Sequence, residues 1–311
     1  AFNGAGELFT FDADMEWDMG SPWYRPTRIN HCVSGADYGW RSGTGKWPAY
    51  YPDSLPATVD IGPGSPTGVT AGTGAKFPAK YQRAIYAADW TYGTMYAIHS
   101  TPKGGTYESV KEEFVSGKPL PLTDLLIHPK DGAMYFAIGG RKTQSGLYRV
   151  TYTGTEPTTP AAALAATPEM TLRAELEKLH EEGTGPDAVA KAFEHLGHPD
   201  RFVRYAARVA LERQPLALWK DKALAVTEPN AVIESVIALA RMTRPGPAVP
   251  PPDKKPAAGS STSSIADVSP ENVTLQTQML LSLGKLEGVD LSQEQVLAAL
   301  RAVQLILIRL G

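Results

Sequence analysis

Four carboxylates fall within seven residues, Asp12, Asp14, Glu16 and Asp18, in the stretch LFTFDADMEWDMG. Beyond a Gly-Ser-Pro break come Arg25, Arg28 and His31. On an extended segment, like charges two residues apart share a face and repel unless a cation, an arginine or water compensates them. Three chemistries meet that demand. A hard cation such as calcium takes about six to eight oxygens, and an Asp-x-Asp-x-Glu-x-Asp loop supplies several; the EF-hand glycine and closing glutamate are absent. A carboxylate at such a rim also serves as general base or as acceptor for a substrate hydroxyl. The third is a lattice of arginines and acids that only stiffens the loop. The residues alone leave all three open.

Other candidates carry weaker signals. His31 has the chemistry of a base, but its place in strand-like INHCV favours a structural histidine with satisfied nitrogens. Cys32, on the opposite face, reads as a small buried hydrophobe. His99 and His128 follow strand ends without an evident partner, and His180, His195 and His198 lack metal-ligand spacing. Arg141, in glycine-rich GGRKTQSG, either grips an anion or a cofactor carboxylate or is a turn arginine in solvent. Residues 41–66 carry five prolines and four glycines and should run over a surface. Their Trp47, Tyr50 and Tyr51 could stack on a sugar or flat cofactor, although a cover over the sheets is the favoured reading.

The elements that must hold these residues follow from periodicity. Over 1–153 the alternation predicts strands at Glu7–Phe11, Arg28–Val33, Ala57–Ile61, Gly68–Ala71, Arg83–Asp89, Thr94–His99, Tyr107–Val115, Leu122–His128, Ala133–Ile138 and Gly146–Tyr152. The phrases GELFTFD, RAIYAADW and GAMYFAIG recur, the last two followed by the partner strands GTMYAIHS and SGLYRVTY. Strand pairs recurring at roughly 40–50 residues indicate a β-propeller, here about two to three blades, too few to close a ring. The chain also opens in a strand and stops in an apolar helix, so a fragment of a longer protein is expected. Residues 154–170, rich in Pro, Thr and Ala, read as a flexible linker.

Beyond the linker the period changes to that of helices. These are predicted at Leu172–Glu182, Asp187–Leu196, Arg201–Gln214, Leu216–Ala225, Ala231–Thr243, Leu275–Leu286 and Gln293–Leu310, with Asp200 as an N-cap. Helix pairs joined by short turns suggest an α-solenoid over 171–311, and LGHPDRFVRYAARVALE resembles a HEAT repeat. Residues 245–264, rich in Pro, Ser and Lys, are expected to form a disordered insertion. The fold class expected is therefore multidomain, all-β followed by all-α.

Composition sets the outer bounds. With 311 residues and 42% hydrophobic content the chain can bury a sizeable core. A net charge of −3 gives no electrostatic case for nucleic acid. No apolar run reaches a membrane span's roughly 18–20 residues. The single cysteine excludes an intrachain disulfide, a Cys-based zinc site and a CxxCH haem attachment. No signal peptide is visible at AFNGAGELF.

Long phrases of 1–153, together with LGHPDRFVRYAARVALERQP, resemble large bacterial multidomain membrane-bound dehydrogenases. That family joins a glucose/sorbosone dehydrogenase-like propeller to HEAT repeats and often to a c-type cytochrome module. Tyr38-Gly39-Trp40 resembles its Tyr-Gly-Trp turn, and Pro66-Thr67-Gly68 its Pro-Ser-Gly strand start. The resemblance implies a periplasmic or cell-envelope quinoprotein that oxidises a sugar or other polyol. It implies pyrroloquinoline quinone and calcium as cofactors and a c-type cytochrome as acceptor. It also implies Arg25, Arg28 and Arg141 toward the cofactor, and Asp12, Asp14, Glu16 and Asp18 toward substrate or metal. The histidine base is expected upstream of residue 1. The alternative is a non-catalytic carbohydrate-binding or protein-interaction scaffold whose helical repeats dock a partner.

Overall fold

A computed structural model of the protein describes residues 1–15, 18–41, 45–140, 142–181, 185–243 and 270–310. Glu16, Arg141 and the expected insertion at 245–264 lie outside the described residues. The chain divides into a sheet unit, residues 1–49 and 54–170, and a helical unit, residues 50–53 and 171–311.

The sheet unit holds β1 (Leu8–Asp12), β2 (Thr27–Cys32), β3 (Trp40–Arg41), β4 (Gly45–Lys46), β5 (Val59–Gly62) and β6 (Pro66–Ala71). After the one-turn α1 (Ala79–Gln82) come β7 (Ile85–Asp89), β8 (Thr94–Lys103), β9 (Thr106–Ser116), β10 (Leu122–Ile127), β11 (Met134–Gly140) and β12 (Thr143–Val150). All ten strands expected from the alternation are present within a few residues. The two-residue β3 and β4 are additional, because a pair so short has no periodicity to read.

Three antiparallel sheets, in the orders β1-β2-β5, β6-β7-β8-β9 and β10-β11-β12, share two apolar layers. β7 is buried along its whole length, so its alternate side chains feed both layers. Ile85 and Ala87, with Ile98 from β8, meet Phe9, Phe11, Ile29 and Ile61. Tyr86 and Ala88, with Met95 and Ala97, meet Leu122, Leu125, Met134 and Phe136. A strand buried on both faces must be apolar at every position, and IYAAD is so until its last residue.

Residues 154–170 are not the free tether that their composition predicts. Buried Gln82 donates from Nε2 to Thr159 O (2.9 Å) and accepts Ala161 N at Oε1 (2.9 Å). The Thr167 hydroxyl donates to Gly104 O and accepts Met170 N (3.0 Å). A single glutamine that satisfies both directions of a backbone segment overrides the Pro/Thr/Ala composition.

The helices are α2 (Pro168–Glu177), α3 (Gly185–His195), α4 (Arg201–Glu212), α5 (Lys220–Ala225), α6 (Pro229–Thr243), α7 (Pro270–Gly284) and α8 (Gln293–Leu310). Asp200 caps α4 by accepting Phe202 N (2.9 Å) and Val203 N (3.1 Å). α4 is buried from Phe202 to Leu211 and α6 from Ala231 to Ala240, so both are surrounded, the charged face of α4 included. Their charges are consequently paired inside. Arg208 reaches Glu234 (2.8 Å) and Glu212 (3.2 Å), donates to Pro52 O (2.9 Å), and stacks 4.4 Å from the Tyr205 ring. Burial disfavours its charge, but Glu234 and Glu212 prevail and hold its pKa above the ordinary guanidinium value.

The segment Tyr50–Asp53 belongs to the helical unit, which corrects its reading as a cover over the sheets. Asp53 is 1% exposed and grips Arg301 of α8 twice, through Nε (2.9 Å) and Nη2 (2.8 Å). The Tyr51 ring lies 4.1 Å from the same guanidinium. Removing one partner of such a pair leaves an uncompensated buried charge. Asp53→Asn should therefore cost about 3 kcal/mol, measured by urea unfolding followed by helical circular dichroism. Asp221→Asn, without such a partner, should leave the same transition unmoved.

Candidate functional site

Asp12 sits directly opposite Arg28 in the β1–β2 register, which fixes what the first acid does. Arg28 donates from Nε to Asp12 Oδ2 (2.9 Å) and from Nη2 to the Tyr38 carbonyl. Asn30 Nδ2 donates to the same Asp12 oxygen (3.3 Å), and Trp40 Nε1 donates to the other, Oδ1. Lys46 Nζ lies 3.7 Å from Asp12 Oδ2, donates to Pro26 O (2.6 Å) and sits 5.3 Å from the Trp40 ring centroid. Both oxygens of Asp12 thus face donors, two of them cationic.

A turn makes this convergence possible. Gly39 has φ +80°, and a Cβ there would lie 2.9 Å from Trp47 N, which donates to Gly39 O (2.9 Å). Only glycine fits between Tyr38, whose carbonyl accepts from Arg28, and Trp40, whose indole donates to Asp12. The Tyr-Gly-Trp phrase therefore has a local structural reason.

The other acids lie apart from this pair. Asp14 accepts the Tyr24 hydroxyl (2.6 Å), and burial together with Asp14 pushes that phenol's pKa up. Arg25 donates to Tyr24 O (3.0 Å) and to no carboxylate among the described residues. Asp18 Oδ1 is buried and accepts no hydrogen bond among the described residues. No group of three His, Cys, Asp or Glu residues able to hold a metal converges among the described residues. A calcium ion on Asp12 would face Arg28 and Lys46, so the described residues do not fit it. Arg28 is engaged with Asp12 and the Tyr38 carbonyl, whereas Arg25 makes one hydrogen bond, from Nη1 to Tyr24 O.

His31, His99 and His128 each have a carboxylate partner that the sequence did not reveal. His31 is fully buried, with Glu7 Oε2 at Nε2 (3.0 Å), Thr106 Oγ1 at Nδ1 (3.0 Å) and the Phe9 ring stacked at 5.2 Å. Burial pushes the neighbouring Cys32 thiol up, away from a reactive thiolate. His99 pairs with Glu112 (2.8 Å), whose carboxyl is held at about 2 by Lys80, with Tyr81 and His99 contributing. His128 pairs with Asp131 (3.1 Å). These carboxylates are far along the chain or around a turn, and pairing by register is invisible to spacing.

Lys46 is the residue that motif reasoning missed. Its side chain is fully buried, and its pKa is lowered from 10.5 to about 8 by burial, with Arg28 adding to the shift and Asp12, Asp14 and Asp60 opposing it. No signal in GTGKW marks it.

No protein-family model and no curated protein sequence matches the chain. Among solved structures, a crystal structure described as an oxidoreductase (glucose dehydrogenase) from Thermus thermophilus aligns with 46% of this chain and 41% of its own. The aligned residues are 19% identical and the TM-score is 0.36. A likeness at that level assigns neither fold nor activity. Among the described residues, no helix is long and apolar enough to cross a membrane.

The lysine makes a testable statement. The unfolded chain keeps the Lys46 proton up to about 10.5, whereas the folded chain releases it near 8. The unfolded state thus binds more protons between those values, and stability rises with pH across that window. Thermal unfolding from pH 8 to 10 should show the wild type gaining on Lys46→Met; parallel pH profiles would contradict the buried lysine.

Proposed function

We propose that the protein is a non-catalytic scaffold in which propeller-type sheets (1–153, with 154–170 as the connecting segment) carry a HEAT-like helical array (171–311). Its activity is to bind a protein partner through α8. The observation that carries this reading is the surface of α8. Ala298, Ala302, Leu305, Ile306 and Leu310 are buried on one side, yet Val296, Leu300, Leu307 and Ile308 stay exposed on the other, Leu300 at 62%. The first three of these exposed residues recur at i, i+4 and i+11 and share a face, interrupted only by the neutral Gln304. A helix apolar on both sides is normally covered on both. Each large aliphatic side chain left in water forgoes about 1.5–3 kcal/mol of burial, and such patches mark interaction sites. The partner that fits is an amphipathic helix offering an aliphatic stripe with little charge.

The acids support the same reading from the other direction, since Asp12 and Arg28 are engaged with each other. A second reading is quinoprotein-type oxidation of a sugar or alcohol with a c-type cytochrome as acceptor. It rests on the resemblance of the phrases in 1–153, and its cofactor ligands would lie at Glu16, Arg141 and beyond the described residues.

Two measurements on the full-length protein separate the readings. Crosslinking in source-cell extract should give a stoichiometric partner joined at α8, recovered about tenfold less with Leu300→Glu/Leu307→Glu at an unchanged melting temperature. Equal recovery would remove the scaffold reading. Incubation with pyrroloquinoline quinone, calcium, an artificial acceptor and a panel of sugars and alcohols should give no reduction, and substrate-dependent reduction would establish the oxidoreductase instead.

A further inference from the structure

We infer that the sheet unit carries a binding pocket for a small monocarboxylate with an apolar body about one ring in size, and that Arg83 selects for its charge. The pocket has a volume of about 160 Å³ and lies between the N-terminal turn, the α1–β7 junction and residues 160–164. Buried Phe9, Ile85 and Tyr107 line it, with half-exposed Leu164 at its edge. An apolar cavity of about 150 Å³ is known to accept benzene. This one therefore holds one ring or a branched aliphatic chain, with a small substituent directed to solvent.

The polar groups around it decide what that substituent is. Asn3 is occupied: its Oδ1 accepts Ala5 N (3.0 Å) and Glu7 N (2.9 Å), and its Nδ2 donates to the Tyr107 hydroxyl (3.1 Å). Gln82 is occupied by residues 158–161, and the Ser100 hydroxyl by Ser109 (2.8 Å). Arg83 differs. Its guanidinium is exposed, and it has no side-chain hydrogen bond or ion pair among the described residues. No acidic residue lines the pocket to neutralise it. An exposed cation lining a pocket with an apolar floor recognises an anionic head on an apolar body, and guanidinium matches the two oxygens of a carboxylate. A sugar fits poorly, because no carboxylate or unoccupied amide is present among the lining residues to hold its hydroxyls.

The far wall is built rather than incidental. Gln82 fastens residues 158–161, and Thr167 fastens the segment again at Gly104. The same α1 that supplies Gln82 places Arg83 as its cap, with Arg83 N bonded to Ala79 O (3.2 Å). Wall and cation are thus set by adjacent residues. This inference does not depend on the surface of α8.

The test titrates benzoate and its neutral isostere benzamide into the full chain, observing side-chain NMR and calorimetric heats. Benzoate should bind saturably and shift the Phe9, Ile85 and Leu164 resonances, with benzamide about tenfold weaker. Arg83→Gln, at an exposed position, should weaken benzoate about tenfold and leave benzamide unchanged. Ala163→Phe, at an exposed position on the wall, should fill the space and abolish both. Absence of shifts at those residues at millimolar ligand would overturn the proposal. So would equal affinity for the two ligands, or benzoate binding undiminished in Arg83→Gln.

Discussion

One carboxylate between two cations governs the first part of the chain. Asp12 is opposite Arg28 across β1 and β2, and Lys46 approaches from the β3–β4 ribbon. A slip of β1 by one residue would turn Asp12 to the face opposite Arg28, so the pair helps to fix the register of that sheet. It also determines local chemistry: Arg28 and Lys46 offset Asp12, and Asp60 faces Arg28 from the neighbouring strand. An acidic run that looks suited to a cation is, at Asp12, already neutralised by the protein itself.

The helical unit uses the same device with deeper burial. Arg208 between Glu234 and Glu212, and Arg301 between Asp53 and the Tyr51 ring, place charges where water does not reach. Such pairs seldom add much net stability over an apolar core, but each is costly to break singly. Their effect is to allow few alternative packings, because every shift separates a buried charge from its partner. Tyr50–Asp53, a stretch with no regular structure, is held in place by this requirement.

Much of the architecture was legible because periodicity is local. The short apolar runs IYAAD and TMYAIH reported strands, Asp200 reported a helix start, and Gly39 marked a turn that no other residue fits. The partners of the charges were not legible. Asp53 and Arg301 are 248 positions apart, and Arg208 and Pro52 are 156 apart. Gln82 binds residues 76 to 79 positions away and converts an expected tether into a wall. The partners of the candidate rim were hidden for the same reason. Spacing showed Asp12, Asp14 and Arg28 as neighbours in sequence, whereas register paired Asp12 with Arg28 and left Asp14 to Tyr24.

What the interior leaves over is apolar surface on α8 and a pocket beside β7, and neither involves the acids. The central claim is that Asp12 is a structural anion already neutralised by Arg28 and Lys46. It is tested most directly by calorimetric titration of calcium into the full chain, with Asp12→Asn alongside. The account predicts no calcium binding that depends on Asp12, and a lower melting temperature for the variant whether or not calcium is present. A saturable calcium site that disappears in Asp12→Asn would contradict it.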